Sequence, residues 1–374
     1  MWELVPTVCI SLLMAMISDF FSKKDDKLNH YTNKAKFLWI LIPIIIGVFV
    51  GLRTGYNDTY AYIQTYKLTP DGFNFENISF DFGDNPGHAI LTRITKSFGF
   101  SVNAYFMIYS IATYFIYIWF IHKYSTDFLM SMFLFICLVL TFPMAAVKQS
   151  IAVAFCLIAV DKAINKKWFW FIFWIFIAET FHAYSFMYVL VPMLFFLPWE
   201  DKKTYMWIVI FFFIGLLLRP MLGSVLSITD SLGEEYTVED FSGEGVNPFR
   251  LLVCLVPLVL SFILRNKVTD PKYEMMREDN ICMNLSFLNG EIMFVALFGT
   301  ANYFARLANY FYIFPVIALP RLFNMIQPKW RLPLKLAVIV CYFAFFYYSN
   351  ILAYSVPFDD TFRRISLNEF HIFA

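Results

Sequence analysis

Apolar runs recur along the chain at 4–21, 37–52, 102–121, 128–143, 145–161, 205–218, 249–264 and 334–352, separated by short polar segments. A helix crossing the hydrocarbon core of a bilayer needs about 20 mostly apolar residues, so each run predicts a transmembrane helix. The stretch 283–320 predicts two more, divided near Thr300–Asn302. The stretch 168–197 is too long for one ordinary span and is interrupted by His182, followed by Ala183, Tyr184 and Ser185. It predicts two short helices meeting near the outer surface. The pattern is that of an all-α polytopic membrane protein, a single transmembrane domain over 1–374. It has about 12 transmembrane helices, within a range of roughly 11 to 13.

Two long polar segments break the pattern. Residues 53–100 carry Gly, Pro, Asn and Asp punctuation, and within them His88–Phe98 reads as a short amphipathic helix, with Ile90, Leu91, Ile94 and Phe98 at helical spacing. Residues 219–248 hold Asp230, Glu234, Glu235, Glu239, Asp240 and Glu244. Loops of this length are more often functional than loops of average length.

The Lys/Arg distribution sets the expected orientation. With 4–21 entering from outside, the inner loops carry Lys23, Lys24, Lys27, Lys34, Lys36, Lys123, Lys162, Lys166, Lys167, Lys202 and Lys203. They also carry Arg265, Lys267, Lys272, Arg277, Arg321, Lys329, Arg331 and Lys335, which brings the inner side to 19 of the 29 basic residues. That is the asymmetry of the positive-inside rule. Merging 168–197 into one span would move Lys202, Lys203, Arg265 and Lys267 outside, so two helices are favoured. Both long loops then lie on the outer side, as does the N-terminus. The run 4–21 has no basic segment before it and no clear small-residue cleavage site, which reads as a retained helix rather than a signal peptide.

Composition removes several function classes. The chain is 60% hydrophobic and 15% charged, with a mean hydropathy of +0.62. That is far more apolar surface than a soluble domain of this length buries. The net charge of +1 gives no reason to expect a nucleic-acid partner. The six cysteines show no metal-ligand spacing. No Walker A, GxGxxG, HExxH or GxSxG motif is present, so chemistry using ATP or a nicotinamide directly is not expected, and no cofactor or metal is called for.

What remains is a small set of polar groups beside apolar helices, where each costs free energy. Arg53 opens Arg53-Thr-Gly-Tyr-Asn-Asp-Thr-Tyr-Ala-Tyr. It reads either as an interfacial arginine with tyrosine anchors or as the mouth of a site. In the second case Arg53 binds an anionic oxygen bidentately and Asp58 serves as a base or as an acceptor for a sugar hydroxyl. Lys148 and Gln149 open a span; Lys148 either snorkels to the interface or lines a site. Glu179 and His182 lie three residues apart, a spacing suited to a proton-transfer pair. Asn302, Arg306 and Asn309 fall at i, i+4 and i+7, on one helical face. Arg219 and Arg250 flank the acidic loop and are explained as well by pairing with its carboxylates. Glu291, inside its span, pairs with another helix or lines a cavity. A basic cluster of Arg53, Lys148 and Arg306 with His182 suits a lipid phosphate or diphosphate.

The ordered stretches Gly51-Leu-Arg-Thr-Gly-Tyr-Asn-Asp-Thr-Tyr, Asn85-Pro-Gly-His, Val147-Lys-Gln-Ser-Ile-Ala, Phe181-His-Ala-Tyr-Ser and Ala305-Arg-Leu-Ala-Asn-Tyr-Phe carry a family resemblance. Over about 37 to 355 the chain resembles the EpsG/Wzy group of bacterial polysaccharide polymerases. It departs from the usual pattern with Lys148 where Arg is common, Asn85 where Glu is common, and Tyr-Asn-Asp in place of Gly-Thr-Asp. The resemblance implies a membrane glycosyltransferase of GT-C-like architecture in the bacterial cytoplasmic membrane. It would transfer a glycan from undecaprenyl diphosphate to a second lipid-linked oligosaccharide repeat. Membrane lipids, a chain-length regulator and a flippase of the same pathway are its implied partners. Asp58, His182 and Arg306 would be catalytic; Arg53, Tyr60, Tyr62, Lys148, Gln149, Asn302, Asn309 and Tyr310 would bind substrate. A lipid-linked oligosaccharide flippase, an O-antigen-type ligase and a membrane O-acetyltransferase are the competing readings.

Overall fold

The computed structural model describes residues 3–21, 23–25, 30–33, 38–74, 78–194, 205–210, 212–214, 216–217, 245–264, 277–298, 301–350, 352 and 361–374. The chain divides into two compact units. One is Met1–Leu190 with Phe346–Ala374, and the other is Val191–Phe345.

The first unit is built from α1 (Leu4–Phe20), α2 (Leu38–Gly51), α3 (Thr59–Leu68), α4 (Pro86–Ser97), α5 (Val102–Tyr124), α6 (Phe128–Leu138), α7 (Phe142–Ala145), α8 (Val147–Ile164) and α9 (Trp168–Phe181). Helix α2 lies along α5 at close range because glycines face it: a Cβ on Gly51 would stand 2.6 Å from the Met107 Cα. Small residues let membrane helices approach backbone to backbone in this way. Helix α5 also packs on α8, and α8 on α9.

Polar contacts define the two ends of this bundle. At one end Asp161, 2% exposed near the end of α8, accepts from Lys123 and from Tyr124 Oη (2.8 Å) at the end of α5. Asp19, at the end of α1, accepts from the Leu129 backbone N–H at the start of α6 (2.9 Å). At the other end lie the start of α1, the end of α2 and the start of α5, tied together by the C-terminal tail. There Arg363–Arg364 forms a strand, β4, paired antiparallel with Arg53–Gly55, here β3. The Ile365 N–H donates to Leu52 O (3.0 Å), Ser101 N–H to Ile372 O (2.9 Å), and Arg364 pairs with Glu3 (2.7 Å). Phe362 stacks on Phe49 and Phe373 on Phe100.

The second unit contains α10 (Val191–Leu194), α11 (Pro248–Leu264), α12 (Arg277–Phe298), α13 (Ala301–Asn309), α14 (Ile313–Met325) and most of α15 (Pro328–Asn350); residues 205–210 are also helical. Helix α12 is central, packing on α11, α13 and α14. Tyr342 Oη donates to Val253 O (2.7 Å), joining α15 to α11. Asp279 and Arg321 form an ion pair with both side chains buried.

Several expectations change. The stretch 283–320 forms three helices rather than two, because the chain turns again at Tyr310–Tyr312. The run 128–143 forms an 11-residue helix, then a turn and the four-residue α7, with Pro143 in its first turn. After α9 the chain breaks at His182 into a 3-10 segment, Ala183–Leu190, before α10. The all-α expectation misses two short antiparallel pairs: β1 (Lys23–Asp25) with β2 (His30–Asn33), and β3 with β4. Among the described residues, Val102–Tyr124, Arg277–Phe298 and Pro328–Asn350 are long and apolar enough to cross a membrane, and several shorter apolar helices accompany them. The acidic stretch of 219–248 and Arg219 fall, up to residue 244, outside the described residues.

Candidate functional site

Arg53 follows α2 directly and turns inward, 1% exposed. Its Nε donates to Thr59 Oγ1 (3.2 Å) and its Nη1 to Val50 O (2.9 Å) and Ser110 Oγ (3.4 Å). The Phe106 ring lies 4.3 Å below the guanidinium carbon. Asn103 Nδ2 fixes the turn by donating to Gly51 O (3.2 Å) and Arg53 O (3.1 Å). No carboxylate pairs with Arg53 among the described residues. Burial pulls its pKa down to about 10, so the guanidinium stays charged at neutral pH. A buried cation solvated only by neutral dipoles and a ring is costly and leaves a positive potential around it.

Helix α3 carries Tyr62 toward this region. Its Oη accepts from the backbone N–H of Lys148 (3.4 Å), which brings the start of α8 into the same site. Lys148 is half-buried and Gln149 is 3% exposed. The Tyr62 ring packs on His88 (centroids 5.8 Å apart), a residue not among the expected site residues. His88 is 7% exposed on α4, with Nε2 2.9 Å from Tyr105 Oη and its ring 5.7 Å from that of Tyr109. Burial, and after it the Lys148 charge, push the His88 pKa down to about 3, so the ring is neutral at physiological pH.

The local sequence explains the placement of α4. Asn85 caps it in the left-handed region (φ 58°), which Asn tolerates far better than Glu, and its Nδ2 donates to Gly83 O (3.1 Å). Pro86 then starts the helix, a position where its missing N–H costs nothing. Gly87 allows α4 to press on α9: a Cβ there would collide with the Thr180 side chain and lie 2.9 Å from the Phe181 ring.

The other expected residues are dispersed. Asp58 is exposed at the start of α3 and makes no side-chain cap. Tyr60, 69% exposed, faces away from the core. His182 sits in extended backbone after α9, its ring edge-on to Tyr184 (5.1 Å). Glu179 Oε2 is enclosed without a hydrogen-bond partner among the described residues.

In the second unit Arg306 is exposed on α13, whereas Asn309 is buried, so the face expected to be shared offers them different surroundings. Asn309 Oδ1 accepts from Arg250 Nη2 (2.9 Å), and Tyr312 Oη accepts from Arg250 Nε (2.5 Å). Arg250 thus helps organise the end of α13; the loop carboxylates that could also pair with it lie, up to residue 244, outside the described residues. Tyr310 is fully buried, and the Asn302 side chain lies outside the described residues. Glu291 is 7% exposed within α12. No group of three or more potential metal ligands occurs among the described residues.

The ordered motifs thus converge on paper and, in part, in space: Arg53, Tyr62, His88 and Lys148 form one site. The EpsG family profile matches residues 36–359. The chain belongs to the EpsG family. That family comprises polysaccharide polymerase-like membrane proteins, and the protein is accordingly a helical membrane protein of polysaccharide biosynthesis. No curated protein and no solved structure shows significant similarity to the chain. As an EpsG member it keeps the Arg53, Lys-Gln and His-Ala-Tyr-Ser segments within the first unit and the Ala-Arg-Leu-Ala-Asn segment within the second.

Proposed function

We propose that this EpsG-family protein is a glycosyltransferase that polymerises lipid-linked oligosaccharide repeats at the outer face of the bacterial cytoplasmic membrane. It would move the growing glycan from its undecaprenyl diphosphate to the hydroxyl of a second lipid-linked repeat. About twelve spans in a GT-C-like arrangement, with the N-terminus and the 53–100 loop outside, complete the proposal. The observation that carries it is a buried guanidinium, Arg53, with no carboxylate partner among the described residues, in one site with a second cation, Lys148.

The chemistry suits such a site. The donor arrives activated, with diphosphate as leaving group, so no nucleotide is required. Negative charge grows on the departing diphosphate, and preorganised cations in a site of low dielectric stabilise it more than water would. Lys148, half-buried, is the direct contact in this reading. Arg53, with Nε and Nη1 bound to protein, contributes its field and holds the β3 turn. Gln149 and Tyr62 position the donor, and exposed Tyr60 offers a stacking face for sugar. Within the second unit, exposed Arg306 is proposed as an anion-binding residue in its own right. The family motifs offer Asp58 or His182 as candidate proton acceptors.

A chromosomal deletion tests the reading. Cells lacking the protein should accumulate single lipid-linked repeats on the outer leaflet and make no polymer, and complementation should restore the ladder. Accumulation on the inner leaflet would point to a flippase; polymer of normal length in the deletion strain would sink both.

A further inference from the structure

Of the candidate bases, Asp58 is exposed at the start of α3, whereas His88 stands inside the Arg53–Tyr62–Lys148 site. Three elements enclose the His88 ring. Tyr62 comes from α3, Tyr105 and Tyr109 from α5, and Lys148 acts from the start of α8. On its far side α4 is locked to α9 through Gly87, Thr180 and Phe181. Nε2 is held by Tyr105 Oη at 2.9 Å. Nδ1 makes no hydrogen bond among the described residues, and beside the ring the Tyr109 hydroxyl is enclosed without a partner. A rigid imidazole with one nitrogen oriented and the other unused, next to a cationic site, has the arrangement of a general base.

We infer that His88 takes the proton from the acceptor hydroxyl as the glycosidic bond forms. The inference rests on the polymerase reading and deepens it. With Nε2–H donating to Tyr105 Oη, Nδ1 accepts the hydroxyl proton. The freed oxygen pair forms the C–O bond to the donor's anomeric carbon. The bond from that carbon to the diphosphate oxygen breaks, and its electron pair leaves on the lipid diphosphate facing Lys148. The proton on Nδ1 is then returned to solvent. In the free protein Lys148 repels a proton on His88; a donor diphosphate beside Lys148 offsets that repulsion and strengthens the base. Proton affinity would therefore rise only once the donor is loaded.

This makes a kinetic signature that a merely structural histidine lacks. Full-length protein in liposomes would be assayed with lipid-linked repeat isolated from a strain lacking it. In the wild type the acid limb of kcat, which reports the loaded enzyme, should lie at higher pH than that of kcat/KM. His88→Gln should lower kcat by about 100-fold or more, with KM within about threefold, and lose the acid limb. Tyr105→Phe, which removes only the hydroxyl, should move the acid limb of kcat to lower pH, because imidazolium loses its hydrogen-bond acceptor. If His88→Gln fails to fold, the Tyr105→Phe shift carries the test. Wild-type kcat and acid limb in His88→Gln, or an unmoved acid limb in Tyr105→Phe, would overturn the role of His88 while leaving the polymerase intact. A wild-type protein that makes no polymer from this donor overturns the polymerase reading, and the His88 role falls with it.

Discussion

Two buried arginines, one in each unit, solve the same physical problem in opposite ways. Arg321, 3% exposed, meets Asp279, itself fully buried, and the pair is neutral. Arg53, 1% exposed, is held by a carbonyl, two hydroxyls and the face of Phe106, and no carboxylate among the described residues offsets its charge. A neutral buried pair costs the fold little once formed and does no work on a ligand. A buried net charge is paid for continuously and is worth keeping where an anion must be drawn in. The contrast separates architecture from chemistry more sharply than burial alone.

The comparison can be broken from either side. The largest effect belongs to Arg321→Ala, which strands Asp279 in the interior. A loss of about 3–5 kcal/mol is expected, seen as failure to accumulate or a collapsed melting temperature in detergent. Arg53→Lys keeps the charge but not the fork. It should leave a folded protein whose polymerisation rate falls by about 10-fold to 100-fold; a normal rate would make Arg53 another structural arginine. Lys148→Gln should cost a similar factor, while Lys148→Arg, which restores the residue common in the family, should retain most activity.

Acid stability gives a smaller, signed effect. His88 in the folded protein titrates near about 3, against about 6.5 in an unfolded chain. Below about 6.5 the unfolded state binds a proton that the folded state refuses, so stability falls as pH drops toward 3 and is unaffected above neutrality. Melting curves across this window should show the decline in wild type and a flatter dependence in His88→Gln. Smallest of all is Asp58→Asn, where a loss of less than about tenfold is expected, well below that of His88→Gln; the reverse order would restore Asp58 as the base.

Much of this was legible in the sequence, and the failures have physical causes. Long apolar runs such as 102–121 and 334–352 mark helices because a helix pairs every backbone group within its own segment, as lipid demands of an unbroken apolar run. The short amphipathic helix near His88–Phe98 was visible as a period, and the structure places it at Pro86–Ser97. Arg53, Tyr62 and Lys148, which the structure brings near one another, stood out because charges and ring hydroxyls beside apolar helices need a reason. His88 was missed as a site residue because a lone histidine in an amphipathic helix carries no signal until Tyr62, Tyr105 and Lys148 close around it. Its only trace was the Asn85-Pro-Gly-His segment. The tail strand at Arg363–Arg364 was invisible for the same reason: two-residue pairing with β3 is fixed by contacts some 300 residues apart in sequence, not by a local pattern. Arg250 stood out in the sequence, but its contacts with Asn309 and Tyr312 were not legible there, because those residues are distant in sequence.

The central claim is that cations in the first unit serve glycosyl transfer from a lipid diphosphate, and its most direct measurement counts bonds. Purified protein in proteoliposomes would be given the lipid-linked repeat, and released undecaprenyl diphosphate would be measured beside the glycan ladder. The account predicts one lipid diphosphate released for each new glycosidic bond, with both lost together in Lys148→Gln. Movement of the repeat across the bilayer with no released diphosphate and no ladder would contradict it.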